Sequence, residues 1–166
     1  MNANENDRGI KVLAAASSVD ATMDRLESLA KQRGLTVFAR INFAKDAAAA
    51  GLTMQPTQLL ILGSPAAGTP LMVAAPGTAL DLPLKVLAWQ DEANRSWVSF
   101  NTPEYLQRRH GFPAALTANV AGLEKLVLAA IASGQAEDEA AAHNLESAHL
   151  SDDRRWIDDR HARSLA

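Results

Sequence analysis

Apolar and polar positions alternate along this chain with two periods. Val19, Met23, Leu26, Leu29 and Ala30 recur at helical spacing behind Ser17 and Ser18, either of which can cap the first turn. Asp20 and Asp24 fall early, Lys31 and Arg33 fall late, and Gly34 follows, so charge and stop signals agree with a helix. Before it, Ile10 to Ala16 reads as a first strand. After it, Leu35 to Asn42 alternates, with Leu35, Val37, Ala39 and Ile41 on one face and Arg40 sharing the other with Phe38. A short helix from Phe43 to Ala50 ends at Gly51. Pro56 separates it from the strand Gln58 to Leu62, which is apolar on both faces and is therefore expected to lie centrally in a sheet.

The strand ends at Gly63 and delivers a Gly/Pro-shaped segment, in which Thr69-Pro70 reads as a cap plus first-turn proline opening a helix that Pro76-Gly77 closes. Lys85 to Gln90 and Ser96 to Phe100 flank Asp91-Glu92-Ala93-Asn94-Arg95, a hairpin with Asn94 in the left-handed position. Thr102-Pro103 opens a helix carrying Tyr105, Leu106, Arg109 and His110. A last helix places Leu116, Val120, Leu123, Val127 and Ile131 on one stripe and is expected to stop at Gly134. The order is β-α-β-α-β-α-β-β-α-α. It predicts an α+β domain, its helices packed on a mixed or antiparallel sheet of about five strands.

Composition narrows the class. At 166 residues there is room for one domain with a real core. With no cysteine there is no disulfide, thiolate metal site or cysteine nucleophile. After Gly134 the sequence turns to Ala, Glu and Asp, which divides it into a body over 10–133 and a tail over 134–166. The tail from Gln135 holds 8 acids and 4 bases, leaving 11 acids and 12 bases elsewhere. A nearly neutral body without basic clusters argues against nucleic acid as a partner. The polar start, and apolar runs read as too short to span a bilayer, give a cytoplasmic expectation with no membrane partner. Leu150 to Ala166 is expected to be a helix capped by Ser151 and docked through Trp156 and Ile157.

Candidate chemistry is sparse. Gly63, Gly68 and Thr69 stand at phosphate-loop spacing, but the lysine is missing and Pro70 removes an N–H, which leaves at most a weak anion site at the Thr69 helix start. The histidines His110, His143, His149 and His161 contain no i, i+4 pair, so no metal and no cofactor is expected. No Gly-x-Ser-x-Gly elbow surrounds any serine. His110, ahead of Gly111, reads first as a cap on its helix, Asp81 as a turn acceptor, and Trp89 and Trp97 as core.

Gly34 to Ile41, Gln55 to Gly63, Gly68 to Met72, Asp81 to Lys85 and Tyr105 to His110, taken together, resemble the bacterial and archaeal family called domain of unknown function 302, over about Ile10 to Ile131. The resemblance implies a small α+β domain, often self-associating, with no established activity. Family members commonly read Ile-Asp-His where this chain has Ile41-Asn42-Phe43. Any acid/base or metal work done by that pair in relatives is therefore not expected here.

Three functions compete at this level. The leading one is a non-catalytic module, forming a homodimer, that binds or senses a small molecule near Asn42, Thr69 and Asp81, polar groups at strand ends and helix starts. The second is an enzyme using Lys85, Tyr105 or His110 for proton chemistry. The third is an assembly protein that engages a partner through its C-terminal tail. Convergence of Lys85, Tyr105 and His110 on one cavity would favour the enzyme.

Overall fold

The computed structural model describes residues 8–136 and 139–140. Five strands, β1 (Ile10–Ala15), β2 (Thr36–Asn42), β3 (Thr57–Gly63), β4 (Leu84–Gln90) and β5 (Ser96–Asn101), form one sheet in the order β1-β5-β4-β3-β2. Every neighbouring pair is antiparallel. The helices are α1 (Val19–Gln32), α2 (Phe43–Ala49), α3 (Pro65–Ala74), α4 (Pro103–His110) and α5 (residues 122–136), with 3-10 turns at Pro76–Leu80 and Ala114–Asn119. The expected α+β class holds, and the sheet is antiparallel throughout. β3 is interior, but the central position belongs to β4.

Alternation sorts each strand between two faces. Leu60, Leu62, Val86, Ala88, Val98 and Phe100 lie on one face and join Met23, Leu26 and Ala30 of α1 and Leu123, Leu126, Val127 and Ala130 of α5 in the main core. A second cluster, Leu71, Leu106, Phe112 and Val120, extends the helical layer past the Gly63 end of β3. The other face presents Leu59, Ile61, Leu87, Trp89 and Trp97, all half-buried, and neither core cluster reaches it.

Local signals account for most element ends. Ser18 caps α1 by accepting from the Ala21 N–H, and Asn42 caps α2 by accepting from the Lys45 N–H at 3.0 Å. Thr102 caps α4, which closes on Gly111 at φ +70°. Asn94 adopts φ +60° in the β4–β5 hairpin, as expected.

Four readings are corrected. In β2 the register shifts between Val37 and Ala39, so Phe38 is a bulge. One inserted residue reverses every later side chain. Val37 faces the core, Ala39 and Ile41 pair with the open-face residues Ile61 and Leu59, and Arg40 turns toward α1. α3 starts at Pro65 with Ser64 as cap, which leaves Thr69 and Pro70 inside the helix. Ser64-Pro65 offers the same cap-plus-proline pair five residues earlier, directly where the strand ends. The Gly63 to Thr69 segment is therefore not a phosphate-type loop. α5 runs through Gly134 to residue 136. A Cβ on Gly134 would stand 2.4 Å from Arg25 Nη1 and 2.8 Å from Ser17 Oγ, so this glycine leaves room for the Arg25 side chain of α1 and does not end the helix. Finally, Trp89 and Trp97 are not core: they sit opposite each other on the open face, ring centroids 6.2 Å apart.

Ala114–Ala136 is, among the described residues, the one stretch long and apolar enough by length and composition to cross a membrane, where no such run was expected. Its residues Leu123, Leu126, Val127 and Ala130 are in the core. The tail helix expected over Leu150 to Ala166, with Trp156 and Ile157, and the histidines His143, His149 and His161 lie outside the described residues.

Candidate functional site

An apolar cavity forms where β3 stops. Gly63 and the Ser64 cap turn the chain into α3, and small residues on that helix leave room between it, the Phe38 bulge, the Leu82–Pro83 segment and Val120. The cavity measures about 310 Å³ and is walled by Phe38, Gly68, Met72, Leu82, Pro83 and Val120, with Thr69 among its residues. No charged side chain lines it. A second lobe of about 260 Å³ shares Gly63, Ser64, Ala67, Leu84, Asn119 and Val120 with the first and continues to Leu35, Arg33 and Lys125. Asn119 Nδ2 donates to the Ala67 carbonyl at 3.0 Å and ties the 114–119 turn to α3 across the junction of the lobes.

Polar chemistry gathers elsewhere. Asp81 Oδ2 meets His110 Nε2 at 2.6 Å and accepts from Arg109 Nε at 3.1 Å. Arg109 also donates to the Tyr105 hydroxyl at 2.8 Å. That hydroxyl first, and Asp81 after it, push the guanidinium pKa further up. The His110 side chain is 6% exposed and Gly77 lies against its Nδ1 edge. Tyr105 packs on Gly9, where φ is +71° and a Cβ would fall 2.1 Å from the ring. The cluster therefore binds the Pro76–Leu80 turn to α4, and α4 to the start of β1.

A second polar group stands between α1 and the sheet. Arg40 donates to Asp24 at 2.6 Å, to Glu27 at 3.4 Å and, through Nε, to Gln58 at 2.8 Å. Gln58, 3% exposed, donates onward to Asp20. Burial works to lower the Arg40 pKa, but Asp24 and then Glu27 outweigh it and leave it raised. Glu27 is held below the usual carboxylate range, chiefly by its bond from Lys31, with Arg40 contributing after it.

The six residues read from the sequence thus separate into four places. Asp81, Tyr105 and His110 come together with Arg109. Thr69 lies at the groove, on the exposed side of α3. Asn42 is spent on the α2 cap. Lys85 lies on the open face of β4, its amine donating to the Pro83 carbonyl at 3.2 Å. Lys85, Tyr105 and His110 do not converge on either lobe. Sequence reading missed Phe38, Ser64 and Val120 as groove residues, because the bulge and the helix start that bring them together are not marked by periodicity. Among the described residues no three His, Cys, Asp or Glu side chains are grouped to hold a metal.

Comparison with known proteins gives two kinds of relative. The chain is 38% identical over 104 residues to fluoride-specific ion channel FluC 1 of Brucella suis biovar 1, covering 63% of this chain and 41% of the channel. It is likewise 38% identical over 104 residues to FluC 1 of Brucella abortus biovar 1 and FluC 2 of Brucella melitensis biotype 1, where it spans 38% of each. The chain therefore spans about two-fifths of the curated relatives it matches. Among solved structures, an uncharacterized conserved DUF302 protein from Bacillus stearothermophilus superposes with a TM-score of 0.62 at 20% identity, over 74% of this chain and 95% of that one, which shows a shared fold. Residues 10–131 match the model of the domain of unknown function DUF302, and the chain belongs to that family.

Proposed function

We propose that this domain is a non-catalytic binding module that works as a homodimer, two copies meeting through the open face of the sheet while the α3 groove of each takes a small molecule. The observation that carries the reading is the sheet face itself. Val12, Ile41, Leu59, Ile61, Leu87, Trp89 and Trp97 make it apolar over all five strands, and neither core cluster covers it. Apolar area of that kind marks an interaction surface. Five strands about 4.8 Å apart and six or seven residues long, at about 3.4 Å each, give roughly 500 Å² of plane per copy. Two such faces approach the roughly 1,000 Å² that a specific interface needs.

A second copy is the occupant this face suits. Lys85 is its one charged strand residue, and a two-fold axis near Leu87 would keep the two amines apart and set each beside the partner's aromatic pair. The groove supports the ligand half of the reading. It is apolar and about 310 Å³, while the groups able to move a proton, Asp81, Tyr105 and His110, are engaged with one another or with Arg109 outside it. A cytoplasmic setting belongs to the same proposal and is open to cell fractionation.

The relatives favour one further reading. Because the matching region spans about two-fifths of proteins named as fluoride-specific ion channels, the module would sit beside a channel subunit, with the same sheet face against it. Native mass spectrometry of the full chain, alone and with a mixture of small organic acids, alcohols and amines, tests the primary reading. A dimer carrying one adduct per copy is expected; monomer without adduct under all conditions would overturn it.

A further inference from the structure

We infer that the groove takes a small amphipathic anion, an alkyl chain ending in an anionic head such as a carboxylate; this rests on the ligand-binding reading above and names its chemical class. The two lobes differ in kind. Phe38, Met72, Leu82 and Val120 make one end apolar, whereas Arg33 and Lys125 stand exposed at the other. No aspartate or glutamate lines either lobe.

The neighbouring acids are occupied. Glu27 holds Lys31 and Arg40, and Glu124 holds Lys11. Among the described residues no carboxylate lies within ion-pair distance of Arg33 or Lys125, so two cations face the groove mouth without a counter-charge. At the junction Asn119 Nδ2 donates to the Ala67 carbonyl and the Ser64 hydroxyl accepts from the Ala67 N–H, which leaves the hydroxyl proton and the second amide proton as neutral donors that supply no counter-charge. The charge therefore falls to the two cations, an arginine fork and a lysine point charge, which together suit a single anionic head. A volume of about 310 Å³ is at the small end of ligand sites, and a chain laid along Met72 and Leu82 fills it without a second polar end.

The test is a heteronuclear NMR titration of the full chain with octanoate, 1-octanol and acetate in parallel. Octanoate is expected to shift Gly68, Met72 and Val120 resonances and to bind at least tenfold tighter than 1-octanol or acetate. The double variant Arg33→Gln, Lys125→Gln is expected to remove that advantage while leaving 1-octanol unchanged. Gly68→Leu fills the apolar end and should weaken both chain ligands; a Cβ at Gly68 stands 3.5 Å from Leu82 Cδ1, an ordinary contact, so the helix accepts a side chain there. Equal binding of octanoate and 1-octanol, both lost in Gly68→Leu, would overturn the anionic class and keep the ligand site. Acetate binding as tightly as octanoate would remove the alkyl part of the inference. Absence of shifts with every probe at millimolar concentration would overturn the site together with the class.

Discussion

The same strands build two faces of similar apolar character that meet different fates. On β3, Leu60 is fully buried beneath the helices, while its neighbour Leu59 points the other way and stays half-buried among Ile41, Leu87 and the tryptophans. On β4, Val86 and Ala88 are buried and Leu87 is not. An antiparallel sheet covered on one side usually shows polar residues on the other. Here the second face is apolar too, so the alternation that normally separates core from solvent separates core from a surface that, among the described residues, neither core cluster covers. That difference is the basis for reading one face as stability and the other as association.

The largest expected effect falls on the covered face. Leu60→Ala should cost about 2–5 kcal/mol, measured by denaturant unfolding, because it opens a cavity between α1 and the sheet. Leu59→Ala, one residue away, should cost about 1 kcal/mol or less at low protein concentration. Equal losses at the two positions would break the distinction between the faces.

The covered face has one polar patch, and it sharpens the contrast. Arg40→Met removes the donor to Gln58 Oε1, a side chain 3% exposed, and should cost about 1–3 kcal/mol by the same measurement. An unchanged unfolding midpoint would mean that water replaces Arg40 at that site.

How much of this was visible in the sequence depends on the range of the interaction responsible. Ser18, Thr102, Gly111 and Asn94 act within a few residues, and their caps and the hairpin turn fall where those residues predict, whereas Asn42, a ligand candidate in the sequence, is the α2 cap. The Phe38 bulge was not legible, because alternation from Leu35 to Ile41 reads equally well without an inserted residue, and only pairing with β3 shows it. Ser64-Pro65 and Thr69-Pro70 are the same signal written twice, and the strand end selects the first. Gly134 looks like a stop until α1 is laid against it. The contact between Asp81 and His110 spans 29 residues and has no local trace; chemistry nominated both, and only the fold joins them. The apolar character of β3 on both sides reads in the sequence as burial on both, whereas in the fold every second residue is only half-buried.

The smallest expected effect is at the rim of the open face, in the β4–β5 hairpin. Asp91 accepts from the Arg95 N–H and the Trp97 indole, in that order of influence, and these hold its carboxyl down at about 2 from an ordinary 3.8. A depressed folded-state pKa adds stability that is fully present above pH 3.8 and is lost as pH falls through about 2. The Trp97 indole N–H resonance should therefore titrate with a midpoint near 2. A midpoint near 3.8 would show that the carboxylate gains nothing from the hairpin.

The claim that the open face joins two copies is tested most directly by sedimentation velocity on the full chain and on Leu87→Lys, which places a charge at the middle of that face. The wild-type chain is predicted to sediment as a dimer at tens of micromolar and Leu87→Lys as a folded monomer with an unchanged circular dichroism spectrum; a wild-type monomer at that concentration, or a dimer that survives the substitution, would contradict it.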